Sequence, residues 1–139
     1  MQPLKPWCVL DASTAVAWLS DVGDIGIWAR RQLVARFPAA PDLVLYETSN
    51  ALRSLALRDV VTWEQARAMQ RELVGAQIAT FPFPALATRT WELAPNLTTY
   101  DASYVALAEL LEAPLITLDQ RLARAPGVRC EIVAYAEGV

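Results

Sequence analysis

The chain has 139 residues, 55% of them apolar, and a formal net charge of −3, which suits one domain over residues 1–139 with a substantial core and argues against disorder. It contains no histidine, and this excludes Ser-His-Asp and Cys-His nucleophilic machinery, histidine-based acid–base ribonuclease chemistry and imidazole-rich zinc sites. No apolar run approaches the roughly 20 residues that span a bilayer, and residues 1–11 reach Asp11 too soon to form a leader core, so a cytoplasmic protein without membrane association is expected.

Trp7 to Leu10 reads as a short buried strand that ends on Asp11. A helix over Ser13–Ser20 follows, with Asp11 or Ser13 able to cap it. Gly23 and Gly26 bracket a turn before a second helix over Ile25–Phe37, which Pro38 and Pro41 break. A strand at about Asp42–Val44 then turns helical through Arg58. Thr62 caps a helix reaching Val74, with Glu64 and Gln65 in its first turn. Gln77–Phe83 reads as an edge strand or extended connection flanked by prolines, and a helix follows over Ala85–Leu93. After Thr98-Thr99 comes the strongly helical run YDASYVALAELLE. The chain closes with the strand LITL, a short helix over Asp119–Ala125, a turn at Pro126-Gly127 and a strand over Val128–Val133. Cys8 and Cys130 lack any CxxC or His companion and read as reduced core thiols.

Short apolar strands alternating with helices predict an α/β fold with a mainly parallel sheet of four to five strands covered on both faces. In such sheets, ligands sit outside the carboxyl ends of the strands. Asp11 and Asp119 both fall at carboxyl ends. Glu47 falls near a strand-to-helix passage, and Asp101 in the first turn of a helix. If the four converge, their mutual repulsion, roughly 1–4 kcal/mol per pair near a surface, would raise some of their pKa values until a cation relieves it. An all-oxygen donor set suits Mg²⁺ or Mn²⁺ rather than zinc, and points to metal-assisted phosphodiester hydrolysis. Placement alone leaves a plainer reading open. Asp11, Asp101 and Asp119 could each cap a helix, and Glu47 could lie on a solvated helix face.

The blocks VLDASTAVAWL, YETSNALR, TTYDASYVALAE and LITLDQRLA resemble, in order and spacing, those of the PIN-domain ribonucleases, most closely the VapC-type toxins of bacterial toxin–antitoxin pairs. The resemblance runs from Cys8 to about Val133. It implies a three-layer α/β/α PIN-like fold and an Mg²⁺- or Mn²⁺-dependent endoribonuclease toxin with RNA as substrate. It further implies that Asp11, Glu47, Asp101 and Asp119 are the catalytic, metal-binding acids, supported by Thr117 and by Ser13. Gln120 and Arg121 stand where some PIN proteins carry a further acid, so no fifth ligand is expected.

The resemblance also implies a homodimer and a cognate antitoxin that blocks the metal site. Trp18, Trp28, Trp63 and Trp91 would suit interfaces where they are exposed and the core where they are not. Arg53, Arg58, Arg121 and Arg124, near the acids in sequence, are candidate RNA phosphate contacts, though a solvated helix face also explains each. The alternative function is a non-catalytic protein that keeps the scaffold for partner binding. A phospho-accepting receiver needs a late lysine, and the sole lysine is Lys5. A haloacid-dehalogenase-like phosphatase needs an aspartate two residues after the first, where Ser13 stands.

Overall fold

A computed structural model describes residues 4–137. The reading of residues 1–11 as too short for a leader core falls partly on residues 1–3, which lie outside the described residues. Five strands form one parallel sheet in the order β3-β2-β1-β4-β5: β1 (Trp7–Leu10), β2 (Phe37–Pro41), β3 (Ala79–Phe81), β4 (Leu115–Thr117) and β5 (Ile132–Ala134). Central β1 pairs Val9 with Ala39 on one side and with Leu115 on the other. The strand order therefore reverses between β1 and β4, the switch point where an open parallel sheet parts its connecting loops and leaves a crevice. Asp11 follows β1 directly, and Asp119 follows β4 after one intervening residue.

Among the described residues, six α-helices complete a three-layer α/β/α arrangement: α1 (Ala12–Ser20), α2 (Asp24–Val34), α3 (Leu43–Leu57), α4 (Trp63–Gly75), α5 (Ala87–Leu93) and α6 (Thr99–Leu110). They pack in two groups, α5 with α6 and α1 with α2, α3 and α4. Helix α6 is buried continuously from Ala102 to Ala108. Its alanines let it lie close over β1, β2 and β4, and Val105 and Leu107 join Val9, Leu10 and Leu115 in the main core. A helix apolar on nearly every side belongs in such an interior. Leu52, Ala56 and Ala66 form a second cluster, with Leu19 and Met69 against it.

The structure departs from the sequence reading chiefly around the first prolines. The strand occupies Phe37–Pro41 and not Asp42–Val44, and α2 stops at Val34. Pro38 precedes the first pairing with β3, at Ala39, and Pro41 is the last residue of β2. The helix ends before both prolines, as expected, and β2 accommodates them because neither removes a donor from its interior. Near the end of the chain, the expected helix over Asp119–Ala125 is a single 3-10 turn at Leu122–Arg124, and the last strand begins at Ile132. Thr62 forms the expected capping box with Gln65. Both cysteines are free, Cys8 buried and Cys130 half-buried, and burial pushes both thiols up to about 11.

Candidate active site

Asp11 directly follows β1 and caps α1. Its Oδ1 accepts the Thr14 amide at 3.0 Å and the Ser13 hydroxyl at 2.6 Å, while its Oδ2 accepts the Thr117 hydroxyl at 2.5 Å. Only 8% of Asp11 is exposed. Burial pushes its carboxyl above the usual range, against the pull of hydrogen bonds from Ser13, Thr117 and Thr14. Capping and a place in an acidic site are therefore compatible for this residue.

Thr117 and Ser13 bind β4 to this corner. Thr117 Oγ1 also accepts the amide of Asp119 at 2.9 Å, and Ser13 Oγ accepts the amide of Leu118 at 3.1 Å. Asp119 Oδ1 in turn accepts the backbone amide and Nε of Arg121, and its Oδ2 accepts Nη2 at 2.7 Å. These bonds from Arg121 hold the Asp119 carboxyl below the usual range. The Arg121 side chain is 84% exposed, and a pair of this kind exchanges readily with solvent ions.

Asp101 does not cap α6. That role belongs to Thr98, whose hydroxyl accepts the Asp101 amide at 3.1 Å. The carboxyl is left half-buried. Burial, then the charges of Asp119 and Asp11, push it above the usual range, with Arg121 acting the other way. Asp101 and Asp119 line an open cleft of about 350 Å³ together with Thr98, Asn96 and Arg121. Glu47 is the fifth residue of α3, well inside the helix and past its first turn, and its Oε1 accepts the hydroxyl of Tyr104 at 2.7 Å. Burial, then Glu47, with Asp11 and Asp101 behind it, push the Tyr104 hydroxyl up as well. One phenol thus lies in the field of three of the four acids.

Asp101 feels the charges of Asp119 and Asp11, and Glu47 joins them only through Tyr104; the contact is loose, since among the described residues no three His, Cys, Asp or Glu side chains are gathered closely enough to hold a metal ion. A larger cavity of about 630 Å³ lies elsewhere, beside Arg89, Glu109 and Cys130. Its Arg89 and Glu109 are tied to each other, and although Glu112 and Glu131 also line it, they are not gathered with Glu109 closely enough to hold a metal ion.

Of the four arginines, Arg121 alone touches an acid of the site. Arg124 is exposed on the turn beyond it. Arg53 lies about 9 Å along α3 from Glu47 at 1.5 Å per residue, in a groove shared with Trp63, Arg67 and Gln70. Arg58 stands about 16 Å along on the same rise, bonded to Ser54 at the far end of the helix. Trp63 and Trp91 are exposed, while Trp18 and Trp28 are half-buried. Sequence reasoning missed Tyr104; its spacing of three residues from Asp101, which puts the two on one helix face, was the available signal.

A parallel α/β sheet carrying acids at its switch point presents them where ligands of this class of sheet bind. The model of the PIN domain matches residues 8–128, and the chain belongs to that family. Ribonuclease VapC1 of Mycobacterium tuberculosis is 44% identical over 126 residues, which cover 90% of this chain and 95% of that protein. Among solved structures, VapC20 of Mycobacterium tuberculosis, described as a sarcin-ricin loop cleaving toxin, superposes with a TM-score of 0.65 at 17% identity, covering 88% of this chain and 96% of the other. VapBC2 from Rickettsia felis, bound to a fragment of its promoter DNA, gives 0.67 at 14% identity, covering 94% and 99%. These two likenesses bear on the fold.

Proposed function

We propose that this protein is an Mg²⁺- or Mn²⁺-dependent endoribonuclease, the toxin of a toxin–antitoxin pair, with Asp11, Glu47, Asp101 and Asp119 as its metal-binding acids. The observation that carries the reading is the Asp101 carboxyl. Burial first, and then the charges of Asp119 from the loop after β4 and of Asp11 from just after β1, push it up. Like charges assembled at a cleft are costly unless a cation shares them.

The donor set fits such an ion in chemistry, being all oxygen without nitrogen or sulfur. It does not form a ready cage, and Arg121 holds Asp119 in the meantime. A bound Mg²⁺ or Mn²⁺ would supply charge at the scissile phosphate and activation of the attacking water. The chain's own residues divide the remaining work. Asp11 is fixed from three directions by Ser13, Thr14 and Thr117 and gives the site a rigid floor. Asp101 and Asp119 line the open cleft where a phosphate would enter. Arg121, exposed at that cleft, can pass from Asp119 to a substrate phosphate, which its planar fork suits. Since Asp11 and Asp101 bind protons more readily than usual, ion uptake should release protons and weaken as pH falls.

RNA is the proposed substrate, in keeping with the ribonuclease relatives. A net charge of −3 implies salt-sensitive binding that depends on RNA shape and loops more than on a broad basic surface. Family membership supports a cognate antitoxin and a homodimer, and the exposed Trp63 and Trp91 are surfaces suited to such contacts. No helix among the described residues is long and apolar enough to cross a membrane; the cytoplasm is the proposed location. A second reading, a non-catalytic scaffold, draws on the loose acids and the Asp119–Arg121 pair. Asp101→Asn separates the two. We expect RNA cleavage in Mg²⁺ to drop about 100-fold or more and growth arrest on expression to disappear. Unchanged cleavage and arrest would refute the nuclease site.

A further inference from the structure

We infer that Tyr104 is the positioning residue for Glu47: its hydroxyl reaches from α6 to α3 and fixes one carboxylate oxygen, leaving the other for the ion. The inference rests on the metal-site reading above and deepens it. Tyr104 lies three residues beyond Asp101, so the two share a face of α6. Its ring is buried, with 2% of the residue exposed, and its hydroxyl donates to Glu47 Oε1 at 2.7 Å across 57 residues of sequence. Phenylalanine would fill the same core volume. The hydroxyl adds only a polar group, which once buried requires a partner, and the partner found is one of the four acids.

Glu47 needs such a partner more than Asp11 does. Asp11 has short reach and three donors, from Ser13, Thr14 and Thr117. Glu47 has a longer, more mobile side chain and projects from the body of a helix. Among the described residues, its carboxylate accepts a hydrogen bond from Tyr104 alone. The phenol holds one of its carboxylate oxygens in place from across the α3–α6 interface. Groups that orient a metal ligand in this way commonly change metal affinity by about 10- to 100-fold when removed.

The experiment is a calorimetric titration of the full chain with Mn²⁺, on wild type, Tyr104→Phe, Glu47→Gln and the double variant. Circular dichroism in chelator serves as the check on folding. Tyr104→Phe should keep the metal-free spectrum and bind Mn²⁺ about tenfold more weakly. In the Glu47→Gln background, the same change should alter affinity less than about twofold, because there is no carboxylate left to position. Wild-type affinity in Tyr104→Phe would overturn the inference alone, as would an equal loss with and without Glu47, which marks a general structural effect. A wild type that takes up no Mn²⁺ would overturn the metal-site reading, and this inference with it.

Discussion

Thr117 donates to Asp11 across 106 residues of sequence, and the same hydroxyl accepts the amide of Asp119. One buried oxygen therefore joins the acid directly after β1 to the loop that carries the acid after β4. The resemblance to PIN proteins suggested a supporting role toward metal or water. In the structure, Thr117 supports two acids at the switch point of the sheet.

Replacing Thr117 with valine keeps the volume and removes that link. Asp11 loses a donor while buried, so we expect about 1–3 kcal/mol of stability to be lost at neutral pH. Thr117→Ser should retain most of it. Urea denaturation of the three proteins measures the difference.

Arg121 competes with any cation for Asp119. Arg121→Ala should tighten Mn²⁺ binding, by no more than about fivefold because exposed ion pairs are weak. The same change should weaken RNA binding if the guanidinium moves on to phosphate. Parallel calorimetry with Mn²⁺ and filter binding with RNA would show opposite signs for the two ligands. Losses in both would mean that Arg121 serves only to hold the loop.

Much of the site was legible from residue type and order. The runs ending in Asp11 and Asp119 marked the carboxyl ends of strands, and a parallel sheet made their meeting a matter of topology. Other features depend on tertiary context. Pro38 and Pro41 marked the end of the second helix, but local rules do not reveal that a strand runs through them with their missing donors at the margins of its pairing. Glu47 looked like a residue at a strand end because the helix begins earlier than its sequence suggests. Tyr104 looked like core, which it is; its bond to Glu47 spans α3 and α6 and leaves no local trace. Arg53 and Arg58 were close to Glu47 in sequence, yet the rise of α3 carries them progressively away.

Away from the cleft, Arg89 makes two hydrogen bonds to Glu109 and one to the Gly127 carbonyl, fastening α5 to α6 and to the turn before β5. Burial alone would push the Glu109 carboxyl up. The bonds and charge of Arg89, with the Arg129 amide, outweigh it and hold the carboxyl below its ordinary 4.5. A lowered folded value means that the stabilisation is complete above about pH 4.5 and is lost as pH falls through the folded value. Glu109→Gln should therefore cost about 1–3 kcal/mol at pH 7, with the gap to wild type closing as the pH drops below 4.5 and through the lowered folded value. Denaturation midpoints across that range provide the check. A gap that did not change with pH would show that the carboxylate charge plays no part.

The claim on which the account depends is that Asp11, Glu47, Asp101 and Asp119 share one ion. Crystals of the full chain grown with Mn²⁺, measured at a wavelength that reveals the metal, test it most directly. A shared ion gives an anomalous peak among these side chains, with carboxylate oxygens from several of them at about 2.1 Å and Arg121 withdrawn from Asp119. Crystals with abundant Mn²⁺ but no peak there, or with the Asp119–Arg121 pair intact beneath an ion bound elsewhere, would contradict it.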